Sequence, residues 1–171
     1  ADHGGRADGG GGSSSSMTSP VVILDRREDE FLAEFLDRAS KKILRAGDIV
    51  TRVMVAALLV SETLGRSGGH ASTLRARHRQ LVADRVDATT GTIRIGDIMH
   101  DFDAPGGSRG RQPGAGLAQH RALLLKAVAD WLCLAPCALR RDEGGATWNV
   151  VLVDGEPFVL DVLFDPGALY T

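Results

Sequence analysis

The 171-residue chain is short of cysteine, of aromatic residues and of net charge. Two cysteines, Cys133 and Cys137, cannot build a disulfide framework, which points to a reducing compartment. Their C-x-x-x-C spacing, with no second pair and no nearby histidines, makes a poor zinc site, so both are expected to be buried structural thiols. The remaining histidines are scattered: His3, His70, His78 and His100 show no ligand spacing, and neither metal nor cofactor is expected. A formal charge of -2 gives no electrostatic reason to expect nucleic acid or an anionic membrane as partner. Long apolar runs are missing as well. The longest, "VMVAALLV" at Val53–Val60, falls well short of the roughly 18 residues that span a bilayer. The opening "ADHGGRADGGGGSSSS" has no apolar stretch and so does not read as a signal peptide. An initial methionine is also missing. The chain starts at Ala1 and its first methionine is Met17, so the expectation is a piece of a longer protein, or residues added ahead of the natural start.

What is present suits one domain. Hydrophobic residues make up 43% of the chain, enough for a core of ordinary size. Residues 1–20 are Gly/Ser-rich and are expected to be a flexible linker, leaving residues 21–171 as the folded domain. From Arg26 the pattern turns helical, with Phe31, Leu32, Phe35, Leu36, Ile43 and Leu44 along one stripe and Gly47 as the stop. Asp48 caps a second helix, "IVTRVMVAALLVSETLG", apolar on most sides and hence central. A third helix starts near Ser72, and "GTIRIG" at Gly91–Gly96 reads as a strand. A long Gly/Pro-broken loop follows at about 97–115. It contains "SRGRQ", Ser108–Gln112, whose arginines suit a solvated loop or the docking of an anion or peptide. A helix then opens at Gly116, with Leu117, Leu123, Leu124, Ala127, Val128 and Trp131 on one side. Strands "CALRR", "TWNVVLV" and "PFVLDVLF" close the chain, and Asp154-Gly155 marks a hairpin between the last two. Helices first and an antiparallel sheet last make an α+β arrangement.

Two stretches carry a specific resemblance. "HRALLLKAVAD", His120–Asp130, and "FVLDVLFDPGALY", Phe158–Tyr170, stand in the right order with few residues between them, supported by "GTIRIGDI", "AALLVSETLG" and "APC". Together they resemble the peptidase-like domain of plant Raf-like MAP kinase kinase kinases of the ethylene-response and disease-resistance type. The same domain closes armadillo-repeat proteins linked to cilia and sperm. The resemblance implies a papain/transglutaminase-like fold, in which a central helix packs on a small antiparallel sheet. It also implies where a triad belongs: a cysteine at the start of the central helix, a histidine just before a Trp-Asn pair, and an acid on the next strand. These positions hold Ala118, Ala146 (or Thr147, just before Trp148-Asn149) and Asp161.

A methyl group neither attacks a carbonyl nor moves a proton, so the expected site is degenerate. His120 and Arg121, Trp148 and Asn149, and Asp161 are the candidate cleft or binding residues. For His120 a capping or packing role competes with binding. For Asp161 bonding to backbone N–H groups, His120 or Arg121 competes with ligand binding, and for Trp148 a core or cleft wall competes with a substrate platform. Cys133 and Cys137 lie away from the helix N-terminus and lack a cationic neighbour, so neither is expected to be an activated thiolate. The function that follows from the resemblance is a non-catalytic protein-interaction module, the C-terminal domain of a cytoplasmic and ciliary armadillo-repeat protein. The alternatives are a regulatory domain of a Raf-like kinase and an active hydrolase with relocated residues.

Overall fold

A computed structural model of the chain describes residues 19–65, 71–99 and 114–171. Nearly all of the expected linker, most of the expected 97–115 loop with "SRGRQ", and His3, His70 and His100 lie outside the described residues. The order of elements is β1 (Val21–Ile23), α1 (Glu30–Ile43), α2 (Ile49–Thr63), α3 (Ala71–Arg85), β2 (Thr92–Arg94), α4 (Ile95–Ile98), α5 (Ala118–Trp131), β3 (Cys137–Arg141), β4 (Thr147–Val153) and β5 (Glu156–Leu160). Helices gather first and an antiparallel sheet last, the α+β arrangement that the pattern implies.

Local chemistry sets the helix starts. Asp29 caps α1, its Oδ1 accepting the Leu32 N–H at 3.0 Å. Its other oxygen accepts the Gly96 N–H at 2.8 Å, so one buried carboxylate joins the start of α1 to α4. Asp48 caps α2 in the expected way, accepting from Thr51 N–H at 2.9 Å. In α1 the buried residues are Leu32, Phe35, Ala39 and Ile43, a stripe of i, i+3 and i+4 steps. Phe31 and Leu44, expected on that stripe, are exposed: at about 100° per residue Phe31 lies off the Leu32–Phe35–Ala39–Ile43 stripe, and Leu44 is the cap beyond its end.

The core clusters α1, α2 and α5 against the sheet and includes Val60, Leu64, Leu124, Val128, Val151 and Leu160. Helix α5 contacts α2 on one side and β3 and β4 on the other. Two buried sides widen its inward arc, which runs from His120 and Arg121 through Leu124, Leu125, Val128 and Ala129. The expected face is met in part: Leu124 and Val128 are buried, but Leu117, Leu123 and Ala127 are half-buried and Trp131 is exposed.

The sheet has the order β3-β4-β5, antiparallel throughout, with Asn149 opposite Leu139 on one side and Leu160 on the other. Asp154 and Gly155 both take positive φ, 51° and 87°, which closes the β4–β5 hairpin. A second sheet of two parallel strands, β1 and β2, was not apparent in the sequence. Two expected strands are shorter than their apolar patterns. "GTIRIG" gives only Thr92–Arg94 before α4 begins, where Asp29 takes the Gly96 N–H. "PFVLDVLF" ends at Leu160, because the Asp161 Oδ1 accepts the N–H groups of Leu163 (2.9 Å) and Phe164 (3.0 Å) and turns the chain.

Candidate functional site at the start of the central helix

The chain reaches α5 through a turn clamped onto the end of α2. Gly116 N–H donates to the Leu64 carbonyl at 2.9 Å. A Cβ on Gly116 would stand 2.7 Å from the Leu64 Cβ, so only glycine permits this approach. Arg121 completes the clamp from inside. Its side chain is 0% exposed and makes five hydrogen bonds: Nε to the Gly116 carbonyl, one terminal nitrogen to the Ser61 carbonyl and hydroxyl, the other to the carbonyls of Leu64 and Gly65. The carbonyls of Ser61, Leu64 and Gly65 belong to the last turn of α2 and its exit, which a helix leaves without internal partners. Burial pulls the guanidinium down to about 10, with the nearby Asp161 carboxylate opposing, so it stays charged at neutral pH. Arg121 was a candidate binding residue. With its donors all turned inward, it holds the scaffold and offers nothing to a ligand.

His120 is also drawn into the scaffold. Its Nδ1 accepts the Leu117 N–H at 3.0 Å, the reaching-back half of a capping box. An N–H needs a lone pair to bond, so Nδ1 is unprotonated and the neutral ring carries its proton on Nε2. Burial is the main cause that pushes His120 down to about 3, and the neighbouring His78 and Arg121 push the same way. His78 packs against it with ring centroids 4.8 Å apart and planes tilted by 35°, and places its own Nδ1 2.8 Å from the Ala115 carbonyl. Burial lowers the pKa of His78 too, despite that hydrogen bond. This histidine pair is absent from the expectations, because 41 intervening residues hide it: α3 brings His78 to the α5 turn only in three dimensions.

The other predicted positions separate. Ala118 is the first residue of α5 and is half-buried. Ala146 is exposed at the base of the β3–β4 hairpin, its N–H donating to Asp142 Oδ1 at 2.8 Å. Thr147, the second choice for the histidine position, is buried and faces the helix. A cavity of about 240 Å³ opens there, lined by Gln119, His120 and Leu123 of α5, Leu139 and Arg141 of β3, Thr147 of β4 and Val22 of β1. His120 and Thr147 therefore meet, whereas Ala118, Ala146, Asp161, Trp148 and Asn149 are not among the lining residues. Trp148 pairs with Arg140 on the sheet face turned away from α5. Asn149 is fully buried beneath the helix, its Nδ2 donating to the Ala122 carbonyl at 2.9 Å and to Cys137 Sγ at 3.5 Å, with Oδ1 unpartnered. Asp161 spends its Oδ1 on its own turn.

The cysteines also divide. Cys137 is buried as expected, and burial raises its thiol above the usual range. Cys133 is exposed, contrary to expectation. It takes φ 48° where the chain leaves α5, a left-handed exit that turns its side chain outward. Gln119, Leu139, Arg141 and Val22 were missed as cavity residues. The residue types carry no chemical signal; only the meeting of β1 with β3 over α5 selects them.

Among the described residues no helix is long and apolar enough to cross a membrane, and no group of three or more His, Cys, Asp or Glu is arranged to hold a metal ion. The sequence family described as "EDR1/CTR1/ARMC3, peptidase-like" matches residues 11–170. A human relative, "Armadillo repeat-containing protein 3", is 37% identical over a stretch covering 32% of this chain and 8% of that protein. No solved structure matches.

Proposed function

The chain belongs to the EDR1/CTR1/ARMC3 peptidase-like family, and on that footing we propose that it is a non-catalytic protein-interaction module with a degenerate papain/transglutaminase-like site. One observation carries this reading. At the first turn of α5, where an acyl-transfer enzyme needs a nucleophile beside its base, Ala118 has no reactive atom, and the imidazole of that turn, His120, gives its Nδ1 lone pair to the helix backbone while packing against His78. Asp161 commits its Oδ1 to its own turn, and among the described residues no hydrogen bond joins it to His120. Cys137 is buried with a raised pKa, and Cys133 sits at the far end of α5, away from Ala118 and His120.

The similarity to an armadillo-repeat-containing protein supports placing the domain in such a parent, and the chain spans 8% of that relative's length. The cytoplasmic and ciliary setting in this proposal rests on the family resemblance alone. The test is to incubate the chain with fluorogenic peptides, amine acceptors and a thiol-reactive probe at neutral pH. The expected result is no turnover above the blank and labelling of Cys133 at the rate of an ordinary free thiol. Turnover lost with His120→Gln, or rapid labelling of either cysteine, overturns the proposal.

A further inference from the structure

The strands bordering the cavity each have one partner and one open side. Among the described residues β1 pairs with β2 alone, and β3 with β4 alone. Hydrogen bonds at their ends fix which backbone groups face the open sides. Val21 N–H donates to the Gly91 carbonyl at 3.0 Å, on the β2 side. Alternation along the strand then turns the N–H and C=O of Val22 away from β2. On β3, Leu152 N–H donates to the Pro136 carbonyl at 2.9 Å, and Asp142 N–H to the Ala146 carbonyl at 3.1 Å. With Cys137 opposite Val151, the residues bonded to β4 are Ala138 and Arg140. The backbone groups of Cys137, Leu139 and Arg141 therefore point outward from the sheet edge. Val22, Leu139 and Arg141 are also lining residues of the cavity. The unpaired backbone groups and the cavity wall thus belong to the same residues.

The side chains add a selection. Val22, Leu123 and Leu139 give the opening an apolar floor. Arg141 is exposed and has no hydrogen bond or ion pair among the described residues, and Arg140 beside it is exposed too. Two adjacent cations oppose pairing of this edge with a second copy of itself and attract a strand that carries a carboxylate.

We propose that the opening between β1 and β3 binds an extended segment of a protein partner, which adds a strand along β3, with an apolar side chain over Leu123 and a carboxylate against Arg141. This is strand addition: main-chain hydrogen bonds supply affinity and alternate side chains supply selection. It rests on the interaction-module reading above and gives that reading a site and a ligand chemistry.

The test is selection from a display library of random linear peptides on the full chain, followed by anisotropy titrations and amide shift mapping with the enriched peptides. The expected peptides lack proline, alternate apolar residues and carry one Asp or Glu, and they shift the amides of Val22, Leu139 and Arg141. Arg141→Glu weakens them by about tenfold, and peptides with Lys in place of the carboxylate recover binding to that variant. Failure to enrich any peptide overturns the strand site. So do enriched peptides that ignore Arg141→Glu and shift amides elsewhere, a result that leaves the interaction reading standing. Cleavage of a bound peptide, seen by mass spectrometry, keeps the strand site and removes the non-catalytic reading.

Discussion

At the start of α5, on one side of the cavity, His120 and Arg121 are bound to the scaffold, whereas on the β3 wall the backbone edge and Arg141 face open space. His120 lends its Nδ1 to the helix start, and Arg121 gathers the carbonyls at the end of α2. Arg141 and the outward groups of Leu139 have no such partners among the described residues. The difference separates two meanings of a sequence signature. "HRALLLKAVAD" is informative because its histidine and arginine hold the turn that starts α5, and that purpose survives with or without catalysis. The residues placed to meet a partner carry no signature of their own.

Breaking the helix wall is expected to cost most. Arg121→Ala leaves the buried carbonyls of Ser61, Gly65 and Gly116 without the guanidinium donors and takes one of two donors from Leu64, a loss of about 4 kcal/mol or more in chemical denaturation. Arg141→Ala on the other wall changes stability by less than about 0.5 kcal/mol, since it only removes an exposed side chain. Similar losses from the two variants contradict the contrast. Leu124→Ala comes next, at about 3 kcal/mol, because its side chain is wholly buried between α2 and the sheet. A change in the midpoint too small to resolve places Leu124 at the surface.

Acid sharpens the comparison further. The folded pKa of His120 is depressed from 6.5 to about 3, so the folded state disfavours the proton that the unfolded chain takes up. Stability is therefore complete above about pH 6.5 and is lost as pH falls from there toward 3. The depressed His78 acts in the same direction. The carboxylates Asp48 and Asp87, both lowered from 3.8, titrate below most of that window. Denaturation midpoints between pH 7 and 4 are expected to fall by about 1 kcal/mol per pH unit. In His120→Gln the glutamine carbonyl can still accept the Leu117 N–H while the acid slope is reduced to that of His78. An unchanged slope in that variant places the acid sensitivity elsewhere. The smallest effect is at Asp161. Asp161→Asn keeps an oxygen for the N–H groups of Leu163 and Phe164, and thermal unfolding is expected to move by less than about 0.5 kcal/mol. A loss near 2 kcal/mol assigns the carboxylate charge a larger role, beside Arg121.

Much of the framework was legible in the residues themselves. Asp48 announces α2, Asp154-Gly155 announces the last hairpin, and the α+β order follows from where helical and alternating periods fall. The losses have physical causes. Hydropathy ranks His120 and Arg121 as polar and moves the α5 face away from them, although bonding pulls both into the interior. Asp161 and Asp29 act through backbone N–H groups, and so shorten strands that an apolar pattern prolongs. Val21–Ile23 is too short for any period, and only its parallel pairing with β2 makes it a strand. The site was legible at its helix side and illegible at its strand side, because β1 and β3 meet there across more than a hundred residues of chain.

The state of the His120 ring tests the central claim most directly, since a base at the start of α5 needs a free nitrogen that titrates near neutrality. Nitrogen-15 imidazole shifts of the intact chain, followed from pH 8 to 4, read tautomer and midpoint together. A bonded cap shows the Nε2–H tautomer throughout, with no midpoint above about pH 4. A midpoint near 6.5, with both tautomers in exchange, would show a solvated imidazole at the helix start and contradict the scaffold role of that wall.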